Sequence, residues 1–383
     1  MATDKELMRR YPAVSDLRTR AKKRMPHFAW EFLTSGTGED EAAIRNREAF
    51  SRIRMVPQFM QGEFTPDLTT TLFDIDYSAP FGISPVGMNS LVWPGTDRML
   101  AQTAARAGIP YAMSSAANET IEKLGELAGG NGWFQLYPPR NTNVRADLLH
   151  RASESGFSTL LVTVDVPVIS RRERQMRAGV GAGGLTPKML WEVLCRPSWA
   201  LASLRAGQPR LPSLERYSQT DDLAKFLAFV GEELNGTFDW SYLDAVRAEW
   251  DGPLVLKGIM DPAQAQQAVE HGADGILVSN HGGRQLDGAL SAIEALPAIA
   301  AAVSGKAKIL FDSGARSGMD IARALALGAD FVMLGRAFMF GSAALGERGG
   351  MHTTNILRED LQNVMSNLGC RTLAELPERL ASD

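Results

Sequence analysis

Eight short apolar runs that alternate with helical segments limit what this chain can fold into. The runs are 81–84 (FGIS), 110–113 (PYAM), 132–136 (GWFQL), 159–164 (TLLVTV), 253–257 (PLVLK), 274–278 (DGILV), 307–311 (AKILF) and 331–334 (FVML). Each is rich in Val, Ile, Leu or Phe, and none shows a sustained alternation with polar residues. That pattern suits strands buried on both faces, as in a parallel sheet covered by helices. The segments between them carry helix punctuation. Residues 261–271 (DPAQAQQAVEH) open with a capping Asp261 and a first-turn Pro262 and stop at Gly272. Residues 320–327 stop at Gly328 in the same way. Both run on into GAD and a strand, GADGILVS and GADFVMLG, which makes an internal helix–strand repeat.

Eight strands alternating with helices predict an α/β chain whose parallel sheet closes into a (β/α)8 TIM barrel. A doubly wound open sheet is the alternative. Most strand starts lie 21 to 33 residues apart, but 94 residues separate 159 from 253. A long insertion, residues 166–252, is therefore expected after the fourth strand. Residues 1–60 read as an N-terminal helical extension broken by SGTGED at 35–40. The expectation is a single domain over 1–383.

Composition narrows the function class. Hydrophobic residues make up 45% and charged residues 22%, which excludes disorder as the main state. A net charge of −4 argues against nucleic-acid binding by bulk electrostatics. Cys195 and Cys370 make neither a disulfide framework nor a zinc site, and no metal is expected. The opening MATDKELMRRYP lacks the apolar core of a signal peptide. No run approaches the ~18 apolar residues of a spanning helix. A cytoplasmic enzyme is expected.

Barrel enzymes place their chemistry at the C-terminal ends of the strands. Here those ends carry SPVGM (84–88), Ser114, Gln135 with Tyr137, Thr163 with Asp165, Lys257, SNHGGRQLDG (279–288), DSGARSG (312–318) and Gly335 with Arg336. Any one of these could be an ordinary satisfied polar group; eight converging ends make that reading unattractive for the set. Loops after the seventh and eighth strands often bind phosphate. Gly314 and Gly335 allow close backbone approach, and Arg316 and Arg336 add charged donors. Lys257 ends an apolar strand, so it is expected to be buried. It reads either as a Schiff-base nucleophile, in a lyase or aldolase, or as a fixed cation facing an electron-rich ring. His281 is the natural proton acceptor at neutral pH, Asp165 its orienting partner, and Arg284 a fork suited to a carboxylate. His27, His150, His271 and His352 lack such surroundings.

Together, SNHGGRQLDG, LVLKGI, TVDVPVISRRER, WFQLY and LFDSGARSGMDIARALALGAD resemble the FMN-dependent L-2-hydroxy acid oxidases and dehydrogenases, with SPVGMNSLVWPGTD and EWDGPLVLKGIMDP closest to bacterial respiratory L-lactate and (S)-mandelate dehydrogenases. The resemblance implies bound FMN. Pro85, Val86 and Gly87 would lie beside the flavin, and Ser114, Gln135 and Thr163 would bond its ring or ribityl chain. Lys257 would stabilise the reduced ring, and Ser279, Asp312, Gly314, Arg316, Gly335 and Arg336 would hold ribityl and phosphate. His281 would be the base with Asp165 its partner, Arg172 and Arg284 would bind the substrate carboxylate, and Tyr137 its oxygen. Two electrons would pass to the flavin and on to a quinone, a cytochrome or oxygen. A homo-oligomer, a tetramer by family resemblance, is implied.

Two positions depart from that pattern. The family's Y-x-x-SG tyrosine, which helps bind the substrate carboxylate, is Phe32 here. Ala116 stands where glycolate oxidases carry tryptophan. Phe32 points to a bulkier, more apolar or non-carboxylate substrate rather than lactate or glycolate, and Ala116 to a larger side group. Residues 178–184 (AGVGAGG) read as a lid that follows Arg172. Residues 185–212 hold an apolar stretch with Trp191 and Trp199, read either as a peripheral membrane anchor or as helix packed on the barrel or a neighbouring subunit. Pro197 argues against one continuous helix there.

Overall fold

The computed structural model describes residues 3–181, 184, 186–218, 220, 222–234 and 239–381, apart from the side chains of residues 223, 224 and 227. Two short antiparallel strands come first, β1 (Thr70–Leu72) and β2 (Ile75–Tyr77). Eight parallel strands follow: β3 (Phe81–Ile83), β4 (Tyr111–Ser114), β5 (Gly132–Leu136), β6 (Thr159–Thr163), β7 (Leu254–Ile259), β8 (Gly275–Val278), β9 (Lys308–Phe311) and β10 (Phe331–Leu334). They close in chain order, with β10 pairing β3. The expected (β/α)8 barrel is therefore observed, and the open sheet is not.

The β1–β2 hairpin went unread in the sequence. It turns at Phe73 and Asp74, both at positive φ and neither a glycine, so the usual turn signal is missing. Its Leu72 and Tyr77 pack with Trp133, Leu161, Val255, Leu277, Leu310 and Phe331. These residues come from the six successive strands β5 to β10 and fill the barrel interior, so the hairpin plugs the end opposite the strand C-termini.

The N-terminal extension is helical, as expected, over Asp4–Arg10, Val14–Arg24, His27–Thr34 and Glu41–Arg52, with the break at 35–40. It is tied to the last barrel helix, Arg336–Leu345. Arg20 and Arg24 donate to the carbonyls of Ala343 and Ala344 at that helix's C-terminal end, where a cation also meets the negative end of the dipole. Trp30 stacks on Phe340.

Within the insertion, helices span Pro187–Leu194, Pro197–Ala206, Pro212–Glu215 and Leu223–Glu233. The break before Pro197 is as expected. One face is packed: Trp199 is buried, donates its indole N–H to the carbonyl of Val92 and meets Phe28 edge-on. The other is bare, with Leu190, Trp191, Leu194, Leu201 and Leu204 from 48% to 81% exposed. Helix Trp240–Glu249 takes the ordinary crossover place in the outer ring: Arg145 pairs with its Glu249, and Trp240 stacks on His271. A helix in the ordinary crossover place thus begins inside the expected insertion, at residue 240. Residues 182, 183 and 185 of the expected lid and anchor lie outside the described residues. No described helix is long and apolar enough to cross a membrane.

Candidate active site

Strand register sets the floor of the site. Ser114 pairs with Gln135 across β4–β5, and Thr163 with Lys257 across β6–β7. Ser114 Oγ donates to Gln135 Oε1 at 2.8 Å, and Gln135 Nε2 donates to Thr163 Oγ1 at 2.9 Å. All three are buried, so each polar group finds its partner in the next strand.

Lys257 lies at the centre of this layer. Its Nζ donates to Ser279 Oγ at 3.2 Å and stands 3.9 Å from Asp165 Oδ2 and 3.7 Å from Asp312 Oδ2. Burial alone would push the ammonium down, but the two carboxylates outweigh it and its pKa is raised. A Schiff-base lysine needs the opposite shift, so the raised pKa speaks for a fixed cation and against the aldolase reading. Asp165 has the mirror-image balance. Burial would raise it, yet Lys257 and then His281 hold it below the usual carboxylate range.

His281 Nδ1 is 2.9 Å from Asp165 Oδ1. A neutral imidazole that donates from Nδ1 leaves Nε2 as the acceptor. Burial, with help from Lys257 and Arg172, lowers the His281 pKa although Asp165 pulls the other way. That shift favours the neutral ring, the form a proton acceptor needs. The seat for Asp165 is a bulge in β7, where register shifts between Lys257 and Ile259. Gly258 sits there at φ +107, and a Cβ on it would lie 2.5 Å from the Asp165 side chain. Only glycine allows that approach.

The rim is cationic. Arg284 Nη1 donates to the carbonyl of Phe32 at 2.9 Å, and its guanidinium lies 5.7 Å from the Phe32 ring centre. Arg172 Nε donates to Ser170 Oγ. Arg336 spends Nε, Nη1 and Nη2 on the carbonyls of Leu33, Gly282 and Ser35, at 3.0, 3.0 and 3.1 Å. Arg336 thus also pins the N-terminal extension to the base loop, which its motif did not suggest. Burial, then neighbouring arginines, pushes Arg316 down to about 9 and lowers Arg284 far below its ordinary value. Burial pushes Arg336 down to about 10 despite the nearby Asp40. A guanidinium does not shed its proton at neutral pH, so these shifts measure how strongly the cluster favours an anion.

One cavity of ≈ 260 Å³ joins these groups. Phe32, Pro85, Val86, Gly87, Ala116, Tyr137, Arg172, Lys257, His281, Arg284, Asp312, Gly314, Arg316, Gly335 and Arg336 all line it. Ser114, Gln135, Thr163, Asp165 and Ser279 are not among the lining residues and bond to those that are or to one another. Two close approaches shape it. A Cβ on Gly314 would meet the carbonyl of Asn46 at 2.3 Å, and one on Gly87 would meet the Ala116 methyl at 3.1 Å. Cations at one end, a lysine behind the centre and apolar Pro85, Val86 and Met333 fit a flat ring with a phosphorylated tail. A second cavity of ≈ 240 Å³, lined by residues such as Val162, Leu256 and Trp240, holds none of the predicted residues.

Three supports escaped sequence reading. Asp287 caps the helix Glu41–Arg52 by accepting from the amides of Glu39 and Ala42. Asn46 and Asn280 exchange side-chain amide hydrogen bonds at 2.7 and 2.9 Å. Ser313 bonds the base loop. Asp287 and Asn280 stand in SNHGGRQLDG and Ser313 in DSGARSG, so their motifs were visible although their contacts were not; for Asn46 the sequence gives no signal.

The profile of FMN-dependent dehydrogenases matches residues 21–383. The chain belongs to this family. It is therefore an FMN oxidoreductase. It is 37% identical to an L-lactate dehydrogenase of Acinetobacter baylyi over 366 residues, 95% of each chain, and 36% identical to that of Ectopseudomonas mendocina over 370 residues, 96% of this chain and 98% of the other. Among solved structures, the monotopic membrane protein (S)-mandelate dehydrogenase superposes with a TM-score of 0.93 at 33% identity, over 97% of this chain and all of that one. A mandelate oxidase superposes at 0.83 with 32% identity, over 97% and 98%.

Proposed function

We propose that this family member oxidises a 2-hydroxy acid with an apolar side chain to the 2-oxo acid. The observation that carries the reading is a half-buried His281, backed by Asp165, that lines the same cavity as the half-buried Arg284 and Arg172. The relatives act, by name, on lactate or mandelate.

FMN, when bound, supplies the acceptor for the two electrons that leave the substrate. The chain's own groups do the rest. Arg284 and Arg172 neutralise the substrate carboxylate and fix its orientation, and Tyr137 holds the 2-hydroxyl oxygen. His281 Nε2 takes a proton, and Asp165 keeps the imidazole in the right tautomer and stabilises the imidazolium. Lys257 would offer positive charge to the ring, and Arg316 with the Gly314 and Gly335 loops would hold the phosphate. Phe32 offers no hydroxyl to the carboxylate, and Ala116 leaves room beside Gly87. Both favour an apolar side group.

The bare face of Leu190, Trp191, Leu194, Leu201 and Leu204, flanked by Lys188, Arg196 and Arg205, suits peripheral contact with an anionic membrane and a lipid-soluble electron acceptor. Anaerobic flavin bleaching against a panel of aliphatic and aromatic 2-hydroxy acids tests the reading. Faster bleaching by apolar and aromatic acids than by glycolate is expected; no bleaching by any of them would overturn it.

A further inference from the structure

Ser313 is the residue in the site whose presence is hardest to explain by local preference. It follows β9 at φ +79, a left-handed conformation that favours glycine and strains a serine. It is buried, and glycine follows it at once. Something specific to its hydroxyl must offset the strain.

The hydrogen bonds supply that reason. Ser313 Oγ accepts from the backbone N–H of Asn280 at 3.3 Å and of Gly282 at 2.9 Å, and donates to Asp312 Oδ1 at 2.7 Å. Those two amides flank His281, itself at φ +56. The amide of His281 ends on a second serine, Ser279 Oγ, at 3.1 Å. The three amides that fix the left-handed turn carrying the base therefore end on two hydroxyls. Ser313 is the one that comes from a different strand, and it ties the turn after β8 to Asp312, one of the two carboxylates beside Lys257. A strained turn persists only when its surroundings over-determine it.

We propose that Ser313 is a positioning residue for the base: its hydroxyl locks the 280–282 turn and so aims the His281 imidazole into the cavity. The proposal rests on His281 being the base. It does not make Ser313 a catalytic residue, because Ser313 acts through the backbone of its neighbours.

Ser313→Gly is the informative variant, since it removes the hydroxyl and relieves the strain together, so it should fold. Ser313→Ala removes the hydroxyl and keeps the strain. In the FMN-loaded protein, both should retain FMN and keep KM within about twofold, while substrate-driven flavin reduction falls on the order of 10- to 100-fold, the cost of an ångström-scale misplacement. Hydrogen exchange in the peptide spanning 279–284 should quicken in both the apo and the loaded protein. His281→Ala is run alongside. If it reduces flavin normally, the base assignment fails. If it is inactive while both Ser313 variants reduce flavin at the native rate, the positioning role fails alone. Loss of FMN or of the fold in both Ser313 variants would also overturn it, in favour of a cofactor or stability role.

Discussion

Replacing Asp165 by Asn tests the charge layout of the site. The side chain keeps its size, so the β7 notch at Gly258 still accommodates it. The electrostatic change is large. Asp165 Oδ1 accepts from His281 Nδ1 at 2.9 Å, and Oδ2 faces Lys257 at 3.9 Å. An amide that turns its NH2 toward Nδ1 forces the proton onto Nε2, and the base then has no lone pair to offer. Losing a correctly poised base costs about 10²–10⁴-fold in the chemical step. Lys257 keeps Asp312 at 3.7 Å and Ser279, so the stability cost falls near the low end of that for breaking a buried pair, about 3 kcal/mol. Asp165 is also what raises the His281 pKa against burial. Its loss must therefore move the acid limb of any residual kcat/KM profile to lower pH. Anaerobic stopped-flow reduction across pH, together with a thermal melt, reads all three effects. Reduction within threefold of native, or an acid limb displaced to higher pH, would refute the layout.

Other perturbations follow from the same geometry. Because burial lowers the His281 pKa, the native enzyme should keep its kcat/KM below pH ~6.5, the ordinary histidine value, losing it only as acid protonates the ring; a profile collapsing at pH 7 would contradict this. Gly258→Ala pushes a methyl into Asp165 and should destabilise the protein by about 1–3 kcal/mol while slowing flavin reduction; a native melt and rate would show that the bulge is not needed. Borohydride with substrate should leave the Lys257 peptide mass unchanged, and a stable adduct there would restore the Schiff-base reading. Trp191→Ser with Leu204→Ser should weaken binding to anionic vesicles at least tenfold, at roughly 1.5–3 kcal/mol per large side chain; unchanged binding would remove this face as the contact.

The barrel was legible because its strands are buried on both faces and so read as unbroken apolar runs, each ended by a glycine or polar residue. The predicted starts at 81, 132, 159 and 331 coincide with the observed ones, and the other four lie one residue away. The β1–β2 hairpin was not legible, since TTLFDIDY is short, lacks a glycine turn and owes its place to tertiary packing. At the site, motif residues such as His281, Arg284 and Lys257 stood out because chemistry restricts their type. Asn46, Asp287 and Ser313 did not, because their worth depends on contacts with segments far along the chain. Arg336 was half read: its place after β10 suggested an anion, but its bonds to Leu33, Ser35 and Gly282 depend on the N-terminal helices docking over the mouth.

Those bonds bear on how the polypeptide is made. The carbonyls of Leu33 and Ser35 emerge from the ribosome among the first residues, and the guanidinium that captures them arrives some three hundred residues later. Until then the opening helices have only their earlier docks, such as Arg284 on the Phe32 carbonyl and Asp287 on the Glu41–Arg52 helix, and the pocket lacks its Arg336 wall. A chain that stops short of β10 lacks the strand that closes the barrel onto β3, and with it Gly335 and Arg336 of the cavity wall. Flavin loading should therefore await a nearly complete polypeptide.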